Sequence, residues 1–190
     1  ITSLVAVVNL VAEFNGDDAL LKQLYKLPND LEKSLSSNWN SAINSLTQTK
    51  SMFVIGRGFG FPIAQEMALK FKETCGIHAE AFSGAEVLHG PFALMTKTFT
   101  TFTLLQNDES ANGTIDILNK MTDLNVNTIF ASTLSTSSAK THLQVDVQTH
   151  PILEPIILLQ EFYLMVNNLA VSLGYNPDSP ANLKKVTETV

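Results

Sequence analysis

Residues 52–76, MFVIGRGFGFPIAQEMALKFKETCG, decide the fold that this sequence predicts. The run MFVIG at 52–56 is short and apolar and leads into a glycine turn, a pattern typical of a buried parallel strand. Pro62 then begins a helix and Gly76 ends it, because proline suits the first turn of a helix and glycine suits the position just after its end. The stretch therefore predicts a strand, a tight turn and a helix, which is the repeating unit of an α/β sheet.

The same alternation continues toward the C-terminus. We expect further strands at 98–106, 127–132 and 142–147, the last at an edge, and helices at 113–124 and 152–173. Strands that alternate with helices over short links predict a doubly wound parallel sheet flanked by helices. Ligands of such sheets bind at the carboxyl ends of the strands, where the turn GRGFG at 56–60 is expected.

The two ends of the chain differ from this central part. Helices are expected at 2–14, at about 18–27 with Asp17 as the N-cap, and from Pro28 onward. The last residues, YNPDSPANLKKVTETV, have two prolines and no apolar periodicity. The sequence therefore predicts a helical segment at 1–47, an α/β domain at 48–174 and an extended tail at 175–190.

Composition excludes several classes of function. The net charge of −6 argues against a nucleic acid or an anionic membrane as partner. The single cysteine, Cys75, forbids an internal disulfide and, with no convincing targeting segment, favours the cytoplasm. The apolar run at 151–174 contains Glu154 and Glu161, so we expect a buried helix there and not a membrane span. The chain has no initiator Met and opens within a helical pattern, so we expect it to be the C-terminal part of a longer polypeptide.

Two groups of residues could carry chemistry. Glu66, Lys70 and Glu73 share one helix face, which suits either proton transfer or a surface ladder of ion pairs. The turn GRGFG could bring backbone amides to a phosphate, or it could simply need a positive φ. If the polar helix face meets the turn, the carboxylates and lysine would act on a phosphorylated substrate.

Other candidates point less clearly to a site. His78 and His89 each fit either a functional or a structural role. No spacing of His and Cys indicates zinc, so no metal is expected. Cys75 lies near a helix C-terminus, where the dipole disfavours a thiolate nucleophile.

A long stretch resembles a known family. The segment FVIGRGFGFPIAQEMALKFKETCGIHAEAFSGAEVLHGPFAL at 53–94, with PIILLQ at 155–160 and DSPANLKKVTETV at 178–190, resembles the second sugar-isomerase (SIS) domain of the glucosamine-6-phosphate synthase and deaminase group. The resemblance implies that residues 1–47 link two SIS domains and that the first domain of the polypeptide is missing here. It also implies a homodimer with a shared active site.

The resemblance assigns roles to individual residues. It implies that Glu73 is the base that moves a proton between C1 and C2, and that Glu66 and Lys70 line the sugar site. His89 would assist ring opening from the neighbouring subunit, and Lys185 of a tail that closes the site would approach the sugar carbonyl. Gly56, Arg57 and Gly58 of the glycine turn complete the candidate substrate-binding residues.

The expected reaction is the conversion of D-glucosamine 6-phosphate and water into D-fructose 6-phosphate and ammonia, with a sugar phosphate as the partner and no cofactor. Leu88 stands where the synthase has a lysine before HGP, which favours the deaminase. The isomerase half of the synthase, or a related fructosamine or amino-sugar phosphate deglycase, is the alternative enzyme. A sensor of sugar phosphates without catalysis is the third possibility, although a sensor would not need Glu73.

Overall fold

A parallel sheet of five strands forms the centre of the described residues, 1–135 and 141–183, in this computed structural model. The strands are β1 (Ser51–Gly56), β2 (His78–Ser83), β3 (Thr100–Leu105), β4 (Asn127–Ser132) and β5 (Thr141–Gln144). Their order is β2-β1-β3-β4-β5, and each neighbouring pair is parallel. The chain therefore changes direction across the sheet between β1 and β3, which makes this the switch point.

Helices cover both faces of the sheet, which confirms the predicted α/β class. They are α1 (Thr2–Asn15), α2 (Asp18–Ser34), α3 (Asn40–Leu46), α4 (Gly60–Cys75), α5 (Gly84–Val87), α6 (Ala111–Asp123) and α7 (Glu154–Ser172), with a short 3-10 helix at Pro91–Leu94. Helices α1 to α4 and α7 pack on one face of the sheet, and α5, α6 and the 3-10 helix pack on the other. No helix in the described ranges is long and apolar enough to cross a membrane.

Most of the predicted element boundaries lie within two residues of the observed ones. Asp17 caps α2 as expected, because its carboxylate accepts the amide N–H of Leu20 at 3.0 Å. Gly76 and Gly174 follow α4 and α7 with positive φ, as the predicted helix ends require.

Two predictions of local structure were wrong. Pro28 does not begin a helix; it lies inside the single helix α2, because the buried Leu20, Leu24 and Leu27 keep one apolar face through the proline. The segment HAEAFS, for which we expected no strand, forms β2 at the sheet edge beside β1. The sheet therefore has five strands in the described residues where the sequence predicted four.

A cluster of aromatic rings holds α4 against the sheet and α7. Phe71 of α4 is 0% exposed, and its ring centroid lies 6.0 Å from that of Phe102 on β3 and 5.1 Å from that of Phe162 on α7. Edge-to-face contacts at these distances add to the free energy gained by burial. This cluster sets the position of the helix that carries Glu66, Lys70 and Glu73.

Replacing Phe71 by Ala should reveal how much stability depends on this cluster. We expect a loss of about 3–5 kcal/mol in the free energy of unfolding, because the substitution leaves a cavity among rings that cannot collapse into it. Phe14, which is 88% exposed on α1, provides the control, and Phe14→Ala should change stability by less than about 0.5 kcal/mol. Urea unfolding followed by circular dichroism measures both variants, and equal effects would show that the cluster is not the main support of α4.

Candidate functional site

Glu66, Lys70 and Glu73 form a connected charge ladder on α4. The ammonium of Lys70 lies 2.6 Å from Oε2 of Glu73 and 3.7 Å from Oε1 of Glu66. All three side chains are partly exposed. The hydrogen bond to Glu73, together with both negative charges, raises the pKa of Lys70, although partial burial opposes the shift. The lysine therefore remains a cation that two carboxylates share.

Tyr163 of α7 extends this ladder, and sequence reasoning missed it. Its hydroxyl donates a hydrogen bond of 2.9 Å to Oε1 of Glu66, the same oxygen that faces Lys70. Burial, the hydrogen bond to Glu66 and the charge of Glu66 raise the pKa of Tyr163 to about 12, so the phenol remains a donor at ordinary pH. Tyr163 is 97 residues from Glu66 in the chain, and only the packing of α7 on α4 brings the two together.

Glu73 lies in a cavity that the beginning of the tail helps to form. The cavity has a volume of about 380 Å³, and residues 72–74 line it together with residues 174–176 and 179–182. Tyr175 lies over Gly76, where a Cβ atom would come within 2.8 Å of the tyrosine hydroxyl. The described part of the tail therefore lies against the end of α4 that carries Glu73. Lys184 and Lys185 lie outside the described residues.

The glycine turn lies at the other end of α4. Gly60 begins the helix and Glu73 is in its last turn, so about 20 Å of helix separates them at 1.5 Å per residue. Glu73 therefore lies far from the turn, whereas Glu66 is only six residues from Gly60, about 9 Å along the helix. Gly56 is needed for packing, because a Cβ there would collide with the carbonyl oxygen of Gly60. Gly58 has a φ of 52°, which supports the structural explanation of this turn.

Arg57 points toward the opposite face of the sheet from α4. Its side chain passes Gly84, and its guanidinium lies against Gly113 near the start of α6. Glycine at these two positions leaves the room that the arginine occupies. Arg57 therefore lies near the carboxyl ends of the strands, far from Glu73.

Two carboxylates accept backbone hydrogen bonds from the residues that follow β3. Oδ1 of Asp108 accepts the amide N–H of Ser110 at 2.8 Å, and the side chain of Gln106 donates to its Oδ2 at 3.3 Å. Glu154, the first residue of α7, is buried and accepts the amide N–H of Asn107 at 2.7 Å. Burial raises the pKa of Glu154, although hydrogen bonds from Asn107 and Thr133 oppose the shift. Both carboxylates therefore satisfy backbone N–H groups at the strand ends, which are the usual place for a ligand in such a sheet.

His89 lies in an exposed turn between α5 and the 3-10 helix. Both flanking elements pack on the sheet face opposite to α4, as their buried Val87 and Met95 show. One copy of the chain therefore does not bring His89 to Glu73, because the sheet lies between their supporting elements. His78 is also exposed, at the start of β2, where its Nδ1 lies 3.4 Å from the hydroxyl of Ser51.

The described residues offer no other strong centre for chemistry. Within 1–135 and 141–183, no group of three His, Cys, Asp or Glu side chains could hold a metal ion. Cys75 is buried, and burial raises the pKa of its thiol, which disfavours a nucleophilic thiolate. The charge ladder of α4 and the cavity beside Glu73 are therefore the candidate functional site.

The sequence of the chain is similar to those of several named proteins. It is 35% identical over 152 residues to the glutamine–fructose-6-phosphate aminotransferase (isomerizing) of Aeropyrum pernix, a match that covers 76% of this chain and 24% of that protein. It is 28% identical over 193 residues to the protein of the same name from Methanothermobacter thermautotrophicus, covering 97% of this chain and 32% of that protein. The chain thus spans about a quarter to a third of the length of these relatives.

The fold of the chain is also similar to those of solved structures. A putative phosphosugar isomerase from Silicibacter pomeroyi superposes with a TM-score of 0.80 at 30% identity, covering 92% of this chain and 53% of that chain. The C-terminal domain of glucosamine-fructose-6-phosphate aminotransferase from Francisella tularensis shares the fold, with a TM-score of 0.73 at 24% identity over 84% of this chain and 48% of that one. The SIS domain family matches residues 45–172, which is more than half of the chain. This chain therefore belongs to the SIS domain family.

Proposed function

We propose that this chain is the catalytic half of a phosphosugar isomerase that deaminates D-glucosamine 6-phosphate. The observation that carries the proposal is the Glu66–Lys70–Glu73 ladder, whose last member lies in a cavity partly formed by the tail. A carboxylate for proton transfer and a cation for a developing oxyanion are the groups that aldose–ketose interconversion requires. The likeness to isomerases named in the comparisons supports the same class of reaction.

The proposed chemistry needs no redox step. His89 of a second subunit assists opening of the sugar ring, because an imidazole exchanges protons near neutral pH. Glu73 removes the proton at C2 and returns it to C1, while Lys70 stabilises the charge that develops on oxygen. The oxygen at C1 gains a proton and the nitrogen at C2 loses one, so that the aldehyde becomes an alcohol and the amine becomes an imine. Water then adds to the imine, and ammonia leaves to give D-fructose 6-phosphate.

The phosphate group must be bound by residues outside the ladder. At the strand ends of this domain, Asp108 and Glu154 already satisfy the amides of Ser110 and Asn107. In the proposal, a first SIS domain in the same polypeptide supplies the phosphate contacts. Lys185, which lies outside the described residues, is the proposed tail lysine for the sugar carbonyl.

The isomerase half of a glutamine-dependent synthase is the second candidate, because the named relatives are such enzymes. The two candidates differ in the source and fate of ammonia. The full-length polypeptide should release ammonia from D-glucosamine 6-phosphate without glutamine if it is a deaminase. Formation of that sugar from D-fructose 6-phosphate only with glutamine would establish the synthase, and a panel of fructosamine phosphates tests a deglycase.

Glu73→Gln should separate binding from catalysis. The substitution keeps the shape of the side chain and removes its basicity, so kcat should fall by about 10²–10⁴ while KM changes little. Glu13→Gln, on the exposed side of α1, is a control that should leave kcat unchanged. Ammonia release in the full-length polypeptide measures both. Binding of sugar phosphate with normal turnover in Glu73→Gln would exclude Glu73 as the base.

Mixed dimers should test the shared site. In a dimer of Glu73→Gln and His89→Ala subunits, one of the two sites keeps both residues. Random exchange at equal amounts makes half of the dimers mixed, so activity should recover to about one quarter of wild type. Subunit exchange is checked by mass spectrometry of isotope-labelled protein. Proven exchange with no recovered activity would contradict a site shared between subunits.

Tyr163→Phe should lower kcat without changing the packing of α7. The phenol donates a hydrogen bond to Oε1 of Glu66, and without it Glu66 attracts Lys70 more strongly away from Glu73. Because Lys70 is then less well placed for the developing oxyanion, kcat should fall by about tenfold while KM changes little. Adding Glu66→Gln removes the competing charge and should restore part of kcat. An unchanged kcat in Tyr163→Phe, with Glu73→Gln inactive, would leave Tyr163 without this role while the base assignment stands.

A further inference from the structure

One side of α1 is apolar and exposed to solvent. Its large side chains recur at helical spacing and are between 46% and 88% exposed, namely Val7, Leu10, Val11 and Phe14. The other side of the helix already packs on the core through Ala12 and its neighbours. A helix that is apolar on both sides is normally covered on both, because removing such side chains from water is favourable. The exposed side therefore lacks a partner within the described residues.

An apolar cleft continues this side of α1 toward α4 and α7. The cleft has a volume of about 350 Å³ and lies between α1, the residues that begin α4 and the residues that begin α7. Val7 and Val11 line it, and so does Phe59, which is 55% exposed. No charged or hydrogen-bonding side chain belongs to its lining in the described residues. We call Val7, Leu10, Val11, Phe14 and Phe59 together the α1 patch.

The composition of the α1 patch selects an apolar protein surface as its partner. Glu13 is the only charged side chain between Thr2 and Asn15, and it is not part of the patch. A sugar phosphate or a nucleic acid would therefore find no cation and no side-chain donor there. Contiguous exposed apolar surface of this kind marks contacts between proteins or between domains.

A second copy of the chain does not suit the α1 patch under the proposed function. A two-fold contact brings the same surface of both subunits together. Helix α1 packs on one face of the sheet, whereas His89 lies between elements of the other face. Two copies joined through α1 would therefore hold His89 on the outer side of each subunit, far from the partner subunit's Glu73.

The polypeptide that precedes Ile1 in the proposed function would emerge beside the α1 patch. Ile1 is the N-cap of α1 and packs against the core. The matches to two solved chains cover 53% and 48% of those chains, so each has room for a second domain of similar size. A domain joined at Ile1 stays close to the patch, and its contact costs less entropy than the association of separate molecules.

We propose that the α1 patch is the docking surface for the first SIS domain of the same polypeptide, which covers it with an uncharged apolar face. This inference rests on the proposed function, because that function supplies the first domain. It adds the surface through which the two domains meet.

A domain docked on the α1 patch also approaches the charge ladder. At about 100° per residue, Phe59, Pro62 and Glu66 lie on the same outward side of α4. Glu66 is about 6 Å along the helix from Pro62, and Glu73 is about 16 Å from it. The docked domain therefore reaches the Glu66 end of the ladder and leaves the Glu73 end open to the tail and to a second subunit.

Labelling of introduced cysteines tests whether the α1 patch is covered. Leu10 in the patch and Val171 on α7 outside it are 67% and 61% exposed, and the native Cys75 is buried. In the 190-residue chain alone, the variants Leu10→Cys and Val171→Cys should react with a maleimide at similar rates. In the full-length polypeptide, Leu10→Cys should react at least about tenfold more slowly and Val171→Cys at an unchanged rate. Mass spectrometry of the labelled peptides measures both rates.

Two results of the labelling would overturn the proposal. One is an equal rate for Leu10→Cys in the 190-residue chain and in the full-length polypeptide, which would leave the α1 patch uncovered. The other is protection of Leu10→Cys in the 190-residue chain alone together with a dimer in analytical ultracentrifugation, which would assign the patch to a second copy.

A charge placed in the α1 patch gives an independent test. Leu10→Glu should lower the Tm of the full-length polypeptide, because docking would bury an unpaired carboxylate, and it should leave the Tm of the 190-residue chain unchanged. Val171→Glu is the control and should change neither Tm. An equal effect of Leu10→Glu on both proteins would overturn the proposal. None of these measurements uses turnover, so a protected patch without ammonia release would refute the proposed deaminase and leave the docking surface standing.

Discussion

The burial of Phe71 constrains the rest of the site. At about 100° per residue, fixing Phe71 toward the sheet directs Glu66 and Glu73 to the opposite side of α4 and Lys70 to the flank between them and the core. Met67, Ala68 and Cys75 are buried with Phe71, so the rotation of the helix is determined by several side chains at once. The charges of the ladder are brought together on this outer side, where Tyr163 of α7 reaches Glu66.

The central unit of the fold could be predicted because its signals are local. An apolar run, a glycine turn and a glycine after the helix all lie within residues 52–76, and β1 and α4 followed them. Strand β2 could not be recognised in the same way. His78 and Glu80 are exposed and alternate with small alanines at a sheet edge, so HAEAFS has no continuous apolar run. Its pairing with β1 depends on residues 27 positions away.

Helical spacing correctly predicted that Lys70 would lie between Glu66 and Glu73, and it could not predict what surrounds them. The distance between the glycine turn and Glu73 follows from the length of α4. The bond from Tyr163 depends on how α7 packs on α4, which no local pattern encodes. The positions of His89 and Glu73 on elements of opposite sheet faces likewise follow from topology alone.

The carboxylates at the end of β3 determine which backbone donors a ligand could use there. Parallel sheets usually bind phosphate at their strand ends, through free amide N–H groups. Asp108 accepts the amide N–H of Ser110, and Glu154 accepts that of Asn107, so these two donors are already satisfied within the chain. An anion at this end of the domain would therefore have to use other donors, of which the guanidinium of Arg57 is one.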